Sequence, residues 1–299
     1  MMAAMRTMTR RAFLGTGVAV TAAAAGAVVA GTTHRGRRWL HAAGVLDGPD
    51  ADVPGVAANV EVQRHVLATA HMPSGQVSYR VASPLSGHPS AVLLCLHGRR
   101  GDDAYAFDVM GVHRFVAERK LPWTVASVDG GEASYWHRRK DGRDPQAVIF
   151  DDLLPRLIGG ADGANGAAEA VPVLLLGWSM GGYGALLAAA DHSDVVRAVT
   201  TSGAAIWRSA GDTAQGAFDD RPDFARNDLF APARLAKLDN ANVRIDCGDD
   251  DPFARANRDL ADRLPKATAR FGAGFHDTAT WRSRLPDQLD FLTRALDNT

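Results

Sequence analysis

An apolar run that leads straight into a glycine-flanked serine constrains the fold of this 299-residue chain more than any other feature. Val171–Leu176 is strongly apolar, and the sequence GWSMG follows at residues 177–181. A Gly-x-Ser-x-Gly turn between a strand and a helix uses glycines because the backbone must turn in a cramped space. The pattern therefore predicts a buried strand, a sharp turn that exposes Ser179, and a helix from Met180 to Ala190.

The same alternation of apolar runs and amphipathic stretches continues along the chain from residue 59. It favours an α/β fold, a mostly parallel central sheet with helices on both faces. A Pro-Ser-Gly turn separates the first two strands and predicts an opening hairpin. The predicted strands are Val60–Ala68, Gln76–Val81, Ala91–Leu96, Trp123–Val128, Val171–Leu176, Val195–Thr200, Val243–Cys247 and Ala267–Phe271. The predicted helices are Ala104–Arg119, Ala147–Ile158, Met180–Ala190, Pro252–Leu264, which has Pro in its first turn, and Thr278–Leu296.

Residues 204–240 interrupt this alternation with polar, proline-containing sequence around a short helix at Pro232–Lys237. A long insertion of this kind predicts a cap over a pocket above the sheet. A Gly-rich surface loop is expected at residues 159–166.

The first thirty residues have the layout of a signal sequence, with three arginines, no acid, and then an Ala-rich run from Ala12 to Ala30. Within them, TRRAFL at residues 9–14 resembles the twin-arginine export motif. We expect export by this route, cleavage at one of two small-residue sites, Val28-Val29-Ala30 or Ala25-Gly26-Ala27, and a secreted or envelope-associated protein. Retention as a membrane anchor is the alternative, because Ala12 to Gly31 is 20 residues long. Residues 31–58 are predicted as a flexible linker whose basic cluster could contact anionic lipid, and residues 59–299 as the catalytic domain.

The charge balance and the cysteine content exclude several classes of protein. Lys and Arg number 33 against 34 Asp and Glu, a net charge of −1, so no nucleic-acid partner is expected. Cys95 and Cys247 are the only cysteines, too few for a disulfide framework or a four-cysteine zinc site.

A serine hydroxyl needs a base and a group that orients the base before it becomes a nucleophile. With the chain order Ser, acid, His, the histidine is His276, in a Gly-rich loop after the last predicted strand. The acid is Asp251, three residues beyond Gly248, with Asp250 and Asp249 as alternatives. Both positions follow the carboxyl ends of strands, where open α/β sheets place their sites. The three acids lack the ligand spacing of a calcium loop, and no metal is expected.

The oxyanion of a tetrahedral intermediate needs backbone donors, each typically contributing about 10²–10³ in rate. One expected donor is the amide of Met180, directly after the serine. The other is the amide of Arg99, in the sequence HGRR after the strand Ala91–Leu96. His97 is expected to brace this loop rather than to react.

Six segments together resemble the esterase branch of the α/β-hydrolase fold, which includes S-formylglutathione hydrolases, feruloyl esterases and secreted mycolyltransferases. They are LLCLHGRRGDD, VDGGEASYWHRR, LLLGWSMGGYGALLAA, TTSGAAIW, IDCGDDDPF and GFHDTATWRSRLPDQLDFL, and the resemblance covers residues 60–296. It implies ester hydrolysis or acyl transfer through a serine acyl-enzyme, with no cofactor. In the strand order usual for this fold, Cys95 and Cys247 lie three strands apart, about 14 Å at about 4.8 Å per strand. A disulfide needs Cα atoms within about 7 Å, so two free thiols are predicted.

The resemblance favours a hydrolase over a transferase. Mycolyltransferases carry Asp-Gly-Leu-Arg where this chain has His97-Gly98-Arg99-Arg100, so Arg100 matches while the acidic sugar-binding position does not, and their acid is a glutamate farther from the histidine. We therefore predict an exported serine carboxylesterase acting on a small-molecule or lipid ester, as a monomer. The alternatives are an acyltransferase that uses a sugar or lipid alcohol, and a non-catalytic envelope-binding module. Substrate contacts are expected from Arg100, Trp136 and Trp207. The aromatics of this set, together with Tyr135 and Trp281, either line the acyl or leaving-group site or pack in the core.

Overall fold

The computed structural model describes residues 32–55, 60–84, 89–159 and 171–297. The predicted signal sequence at residues 1–30 lies outside these residues, as does all but Gly159 of the predicted loop at 159–166. Among the described helices, none is both long enough and apolar enough to cross a membrane.

One sheet forms the centre of the fold, and its strands are close to those predicted. In the described part of the chain they are β1 (Val62–Ala68), β2 (Gln76–Ala82), β3 (Ala91–Leu96), β4 (Trp123–Val128), β5 (Val173–Trp178), β6 (Val196–Ser202), β7 (Asn242–Gly248) and β8 (Thr268–Gly272). Their order across the sheet is β1-β2-β4-β3-β5-β6-β7-β8. The hairpin β1–β2 joins β4 in antiparallel fashion, and all later pairs are parallel. This confirms the α/β fold class.

The strands β3 and β5 are continuous apolar runs because helices cover both faces of the sheet. Every residue of β3 is buried. Its alternate residues divide between two cores, with Val92, Leu94 and Leu96 on one face and Ala91, Leu93 and Cys95 on the other.

The helices are α1 (His34–Ala42), α2 (Val112–Glu118), α3 (residues 145–159), α4 (Met180–Asp191), α5 (Arg221–Arg226), α6 (Pro232–Asp239), α7 (Ala254–Ala261) and α8 (Thr278–Asp297). The predicted helix Ala104–Arg119 is instead a π-helical turn, Tyr105–Val109, followed by α2. Gly111 has a φ of +66° and interrupts it. The predicted helix Pro252–Leu264 is shorter at both ends, and Pro252 lies before its first turn.

The chain divides between Gly48 and Pro49 into two compact units. The first contains α1, which lies within the segment predicted as a linker. The side chain of Thr33 caps this helix by accepting a hydrogen bond from the Gly36 amide at 3.0 Å. The polar composition of residues 31–58 predicted a flexible linker, so this helix was not expected.

The insertion at residues 204–240 contains a short 3₁₀ turn, Ala210–Asp212, and the helices α5 and α6. The buried Arg139 holds this segment by donating hydrogen bonds to the carbonyls of Gly216 and Ala217 and to the carboxylate of Asp219. Because the guanidinium binds three groups of the insertion at once, the segment has a defined position on the body of the fold.

The two cysteines lie on β3 and β7, three positions apart in the sheet. Both are buried and free. Burial raises the pKa of both thiols, which keeps them protonated and unreactive.

Candidate active site

The turn at Ser179 joins β5 to α4 and is strained, with φ 53° and ψ −116° at the serine. The glycines on either side leave no room for a side chain. A Cβ on Gly177 would lie 2.1 Å from the Gly181 carbonyl oxygen, and one on Gly181 would lie 1.9 Å from the Leu96 carbonyl oxygen. The backbone therefore holds Ser179 above the end of the sheet in a conformation that other turns rarely adopt.

The structure brings the three predicted polar residues together at the carboxyl ends of β5, β7 and β8. His276 Nε2 lies 2.9 Å from Ser179 Oγ, and His276 Nδ1 lies 2.7 Å from Asp251 Oδ2. The Asp251 side chain is fully buried, and that of His276 is 24 % exposed. This arrangement can take a proton from the serine hydroxyl while the carboxylate orients the imidazole.

The other two acids of the DDD sequence bind elsewhere. The carboxylate of Asp249 forms an ion pair with Arg258. The amide of Asp250 donates to the Gly274 carbonyl, which ties this loop to the histidine loop. Of the three, Asp251 is the one that contacts His276. In the described ranges no group of three His, Cys, Asp or Glu side chains could hold a metal ion.

Gly203 is a functional position that the sequence analysis missed. It follows β6 with a φ of +54°, and a Cβ there would lie 2.5 Å from Asp251 Oδ2 and 3.3 Å from His276 Nδ1. The glycine thus leaves the space that the histidine–carboxylate pair occupies. It stands in the segment TTSGAAIW, but nothing in the local sequence indicates what faces it.

We expect Gly203→Ala to lower ester turnover by about 10²-fold or more, because a displacement of about 1 Å at a catalytic group has effects of that size. Gly216→Ala is the matched control. Gly216 also has a positive φ, +78°, but a Cβ on it would have no atom of the described residues within 4 Å. The two variants share the backbone cost of a positive φ and differ in the steric clash. Equal activity of the two purified variants would contradict this role for Gly203.

The two predicted oxyanion donors belong to the loop after β3 and to the start of α4, two segments that adjoin Ser179. Gly98 passes close to the serine, since a Cβ on it would lie 3.4 Å from Ser179 Cβ. The next two amides along this loop differ: that of Arg100 donates to the Glu132 carbonyl, whereas that of Arg99 donates to no carbonyl among the described residues. The amide of Met180 belongs to the first turn of α4, where amides have no partner within the helix. Both are available to an oxyanion.

His97 braces this loop, as predicted. Its buried ring accepts a hydrogen bond from the Gly130 amide at Nε2 (3.0 Å), and Nδ1 lies 2.8 Å from the Gly98 carbonyl oxygen. These partners assign the neutral tautomer with the proton on Nδ1. Burial lowers the pKa of His97, which also favours the neutral ring.

Trp136 and Trp207 do not line the cleft, contrary to prediction. Trp136 is fully buried, and its indole N–H donates to the His97 carbonyl at 3.1 Å. It supports the oxyanion loop from beneath. Trp207 is half-buried, with its ring 5.1 Å from that of Tyr135 and 5.5 Å from that of Phe253. Neither residue belongs to the lining of the cleft around Ser179.

The cleft around Ser179 has a volume of about 600 Å³, and four aromatic side chains and two arginines contribute to its lining. Arg100 lines it, as predicted, and so do Tyr135 and Trp281. The ring of Trp281 packs edge-on against His276 at 5.0 Å. The full lining is Gly98, Arg99, Arg100, Gly101, Tyr105, Tyr135, Ser179, Ala214, Phe253, His276, Asp277, Thr278 and Trp281.

Comparison with known proteins supports an esterase. A family model described as "Putative esterase" matches residues 149–292, which include Ser179, Asp251 and His276. A ferulic acid esterase structure shares 22% identity, with 79% of this chain and 98% of that chain covered and a TM-score of 0.66. The chain is a serine ester hydrolase with the α/β-hydrolase fold.

Two further solved structures share the fold of this hydrolase. An S-formylglutathione hydrolase from Agrobacterium tumefaciens is 16% identical, with 81% of this chain and 98% of that chain covered and a TM-score of 0.65. FphF, a fluorophosphonate-binding serine hydrolase from Staphylococcus aureus, is 16% identical, with 80% and 99% covered and a TM-score of 0.62. A search of curated proteins found no significant match.

Proposed function

We propose that this hydrolase is an exported carboxylesterase that works through a Ser179–His276–Asp251 triad and an acyl-enzyme. The observation that carries the proposal is the continuous hydrogen-bonded chain from Ser179 Oγ to the buried Asp251 carboxylate, which opens into an aromatic cleft. Export rests on the resemblance of residues 9–14 to the twin-arginine motif.

In the acylation step, Ser179 Oγ attacks the ester carbonyl carbon while His276 Nε2 takes the hydroxyl proton. The carbonyl π-electrons move onto oxygen, and the amides of Arg99 and Met180 stabilise this oxyanion. When the intermediate collapses, the bond to the alcohol oxygen breaks, and His276 returns the proton to the leaving alkoxide. Asp251 keeps the proton of Nδ1 in place and stabilises the imidazolium between the two transfers.

In the deacylation step, a water molecule takes the place of the alcohol. His276 Nε2 removes its proton, the hydroxide oxygen bonds to the acyl carbon, and the released Ser179 oxygen regains the proton. The products are a carboxylic acid and an alcohol, and the enzyme returns to its starting state without any cofactor. An alcohol acceptor in place of water would give acyl transfer, so competition between an alcohol and water tests that alternative.

A binding module has no need for a strained serine that is hydrogen-bonded to a histidine. Reaction with a fluorophosphonate probe distinguishes an esterase from a binding module, because only an activated serine attacks phosphorus. We expect labelling of the folded protein at Ser179, shown by mass spectrometry of the modified peptide. Heat-denatured protein is the control and should not react. A folded protein that stays unlabelled would contradict the esterase proposal.

A further inference from the structure

Arg99 places a positive charge at the edge of the cleft without a carboxylate partner. Arg99 lines the cleft, and its side chain is exposed. The guanidinium makes one long hydrogen bond, from Nη2 to the Gln215 carbonyl at 3.5 Å. Among the described residues no Asp or Glu oxygen lies within 4.0 Å of it. By contrast, the neighbouring Arg100 faces a carboxylate, with Nε 3.8 Å from Glu132 Oε1.

The hydroxyl of Tyr135 is a second group without a partner. Tyr135 is only 3 % exposed and opens onto the cleft. Its ring is held by Trp207 and Phe218, with centroids at 5.1 Å and 6.2 Å. Its φ of +51° is unusual for a tyrosine, so the surrounding packing determines where the ring points. In the part of the chain that the structure describes, no group hydrogen-bonds to this hydroxyl.

These two groups lie within electrostatic range of each other. Burial raises the pKa of Tyr135, and the positive charge of Arg99 partly offsets that effect. The phenol therefore stays protonated at neutral pH and is a hydrogen-bond donor. A phenol donor and a guanidinium without a carboxylate partner, both lining one cleft, have the chemistry of an anion-binding pair.

The lining of the cleft carries two arginines, Arg99 and Arg100, against one acid. Asp277 is the one acid among the lining residues, and its Oδ1 accepts a hydrogen bond from the Thr280 amide at 2.8 Å. That contact caps the start of α8 and directs the carboxylate toward the helix. The other lining residues include the aromatic side chains Tyr105, Phe253 and Trp281.

We propose that the guanidinium of Arg99 and the hydroxyl of Tyr135 bind a carboxylate carried by the ester substrate. The inference rests on the proposed esterase function and adds the substrate class: esters of modest size with an apolar or aromatic body and an anionic group. The ester carbonyl lies at Ser179, and the carboxylate forms charge-assisted hydrogen bonds with the guanidinium and the phenol.

Two matched pairs of esters test this, one with the charge on the acyl side and one with it on the alcohol side. The first is mono-4-nitrophenyl adipate against its methyl ester, and the second is 4-acetoxybenzoate against methyl 4-acetoxybenzoate. The measured quantity is the ratio of kcat/KM for the anionic member to that for the neutral member. We expect a ratio above one in at least one pair, which also identifies the half of the substrate that carries the charge.

Arg99→Gln should lower that ratio by about 5- to 10-fold, the range of a charged contact at a partly exposed site. Tyr135→Phe keeps the ring packing and should lower it by about 2- to 5-fold. Arg138→Gln is the control, because Arg138 is an exposed arginine outside the cleft. The wild-type ratio should also fall when NaCl rises from about 50 mM to about 500 mM. If Arg99→Gln leaves the ratio of kcat/KM for the anionic and neutral esters unchanged in both pairs, the proposal is wrong.

A binding measurement separates this proposal from the esterase assignment. Monomethyl adipate and dimethyl adipate can be titrated calorimetrically into Ser179→Ala and into Ser179→Ala/Arg99→Gln. If the single variant binds monomethyl adipate more tightly than dimethyl adipate, and the double variant binds the two equally, the subsite is supported even if no ester is hydrolysed. Equal affinities in the single variant would refute the subsite while leaving the esterase function intact.

Discussion

Ser179→Ala is expected to lower kcat for a short 4-nitrophenyl ester by about 10⁶-fold, to the residual rate supported by the oxyanion donors and substrate binding. The loss is this large because removal of Oγ abolishes the acyl-enzyme route, and the remaining His276–Asp251 pair has no nucleophile to deprotonate. The fold should survive the change. Alanine accepts the same backbone angles as serine, and the glycines that allow the turn are untouched.

The matched control is Ser209→Ala, in the exposed part of the insertion, where the hydroxyl bonds only to Asp212 within the described residues. Its kcat should equal that of the wild type. Circular dichroism and a thermal unfolding midpoint show that both variants are folded. Substantial turnover by a folded Ser179→Ala protein would remove Ser179 from the mechanism.

Asp251→Asn should lower kcat by about 10⁴-fold with little change in structure. The reason lies in the two contacts of this carboxylate. Oδ1 accepts a hydrogen bond from the Phe253 amide at 2.8 Å, and Oδ2 faces His276 Nδ1. An asparagine must place its carbonyl oxygen toward the Phe253 amide, so its NH₂ group faces His276. The imidazole then carries its proton on Nε2 and cannot accept one from Ser179.

Asp249→Asn is the matched control, since Asp249 belongs to the same three-residue acidic run and its carboxylate pairs with Arg258. It should retain near wild-type kcat, with at most a small loss of stability, because a partly exposed ion pair contributes little. The comparison separates loss of the orienting carboxylate from loss of negative charge in the loop. Equal rates for the two asparagine variants would show that Asp251 does not orient the histidine.

The sequence by itself determined most of the sheet and the three central polar residues. Buried parallel strands are rich in apolar and β-branched residues, so Ala91–Leu96 and Trp123–Val128 could be predicted to the residue. Ser179, Asp251 and His276 could be found because each follows such a strand and the chain order restricts which acid and histidine can meet. Local sequence carries this information because hydrophobic periodicity and turn glycines act over a few residues.

Only the tertiary structure decided the roles that depend on what faces a residue from a distant part of the chain. Gly203 is needed because Asp251 and His276 occupy the space next to it. Trp136 and Tyr135 are neighbours in sequence, yet one supports the oxyanion loop from within the core and the other opens onto the cleft. Both have positive φ, which reverses the usual side-chain directions in a way that no periodicity reveals. Arg99 likewise becomes a candidate anion-binding residue only because the folded chain places no carboxylate opposite it among the described residues, a property of packing rather than of sequence pattern.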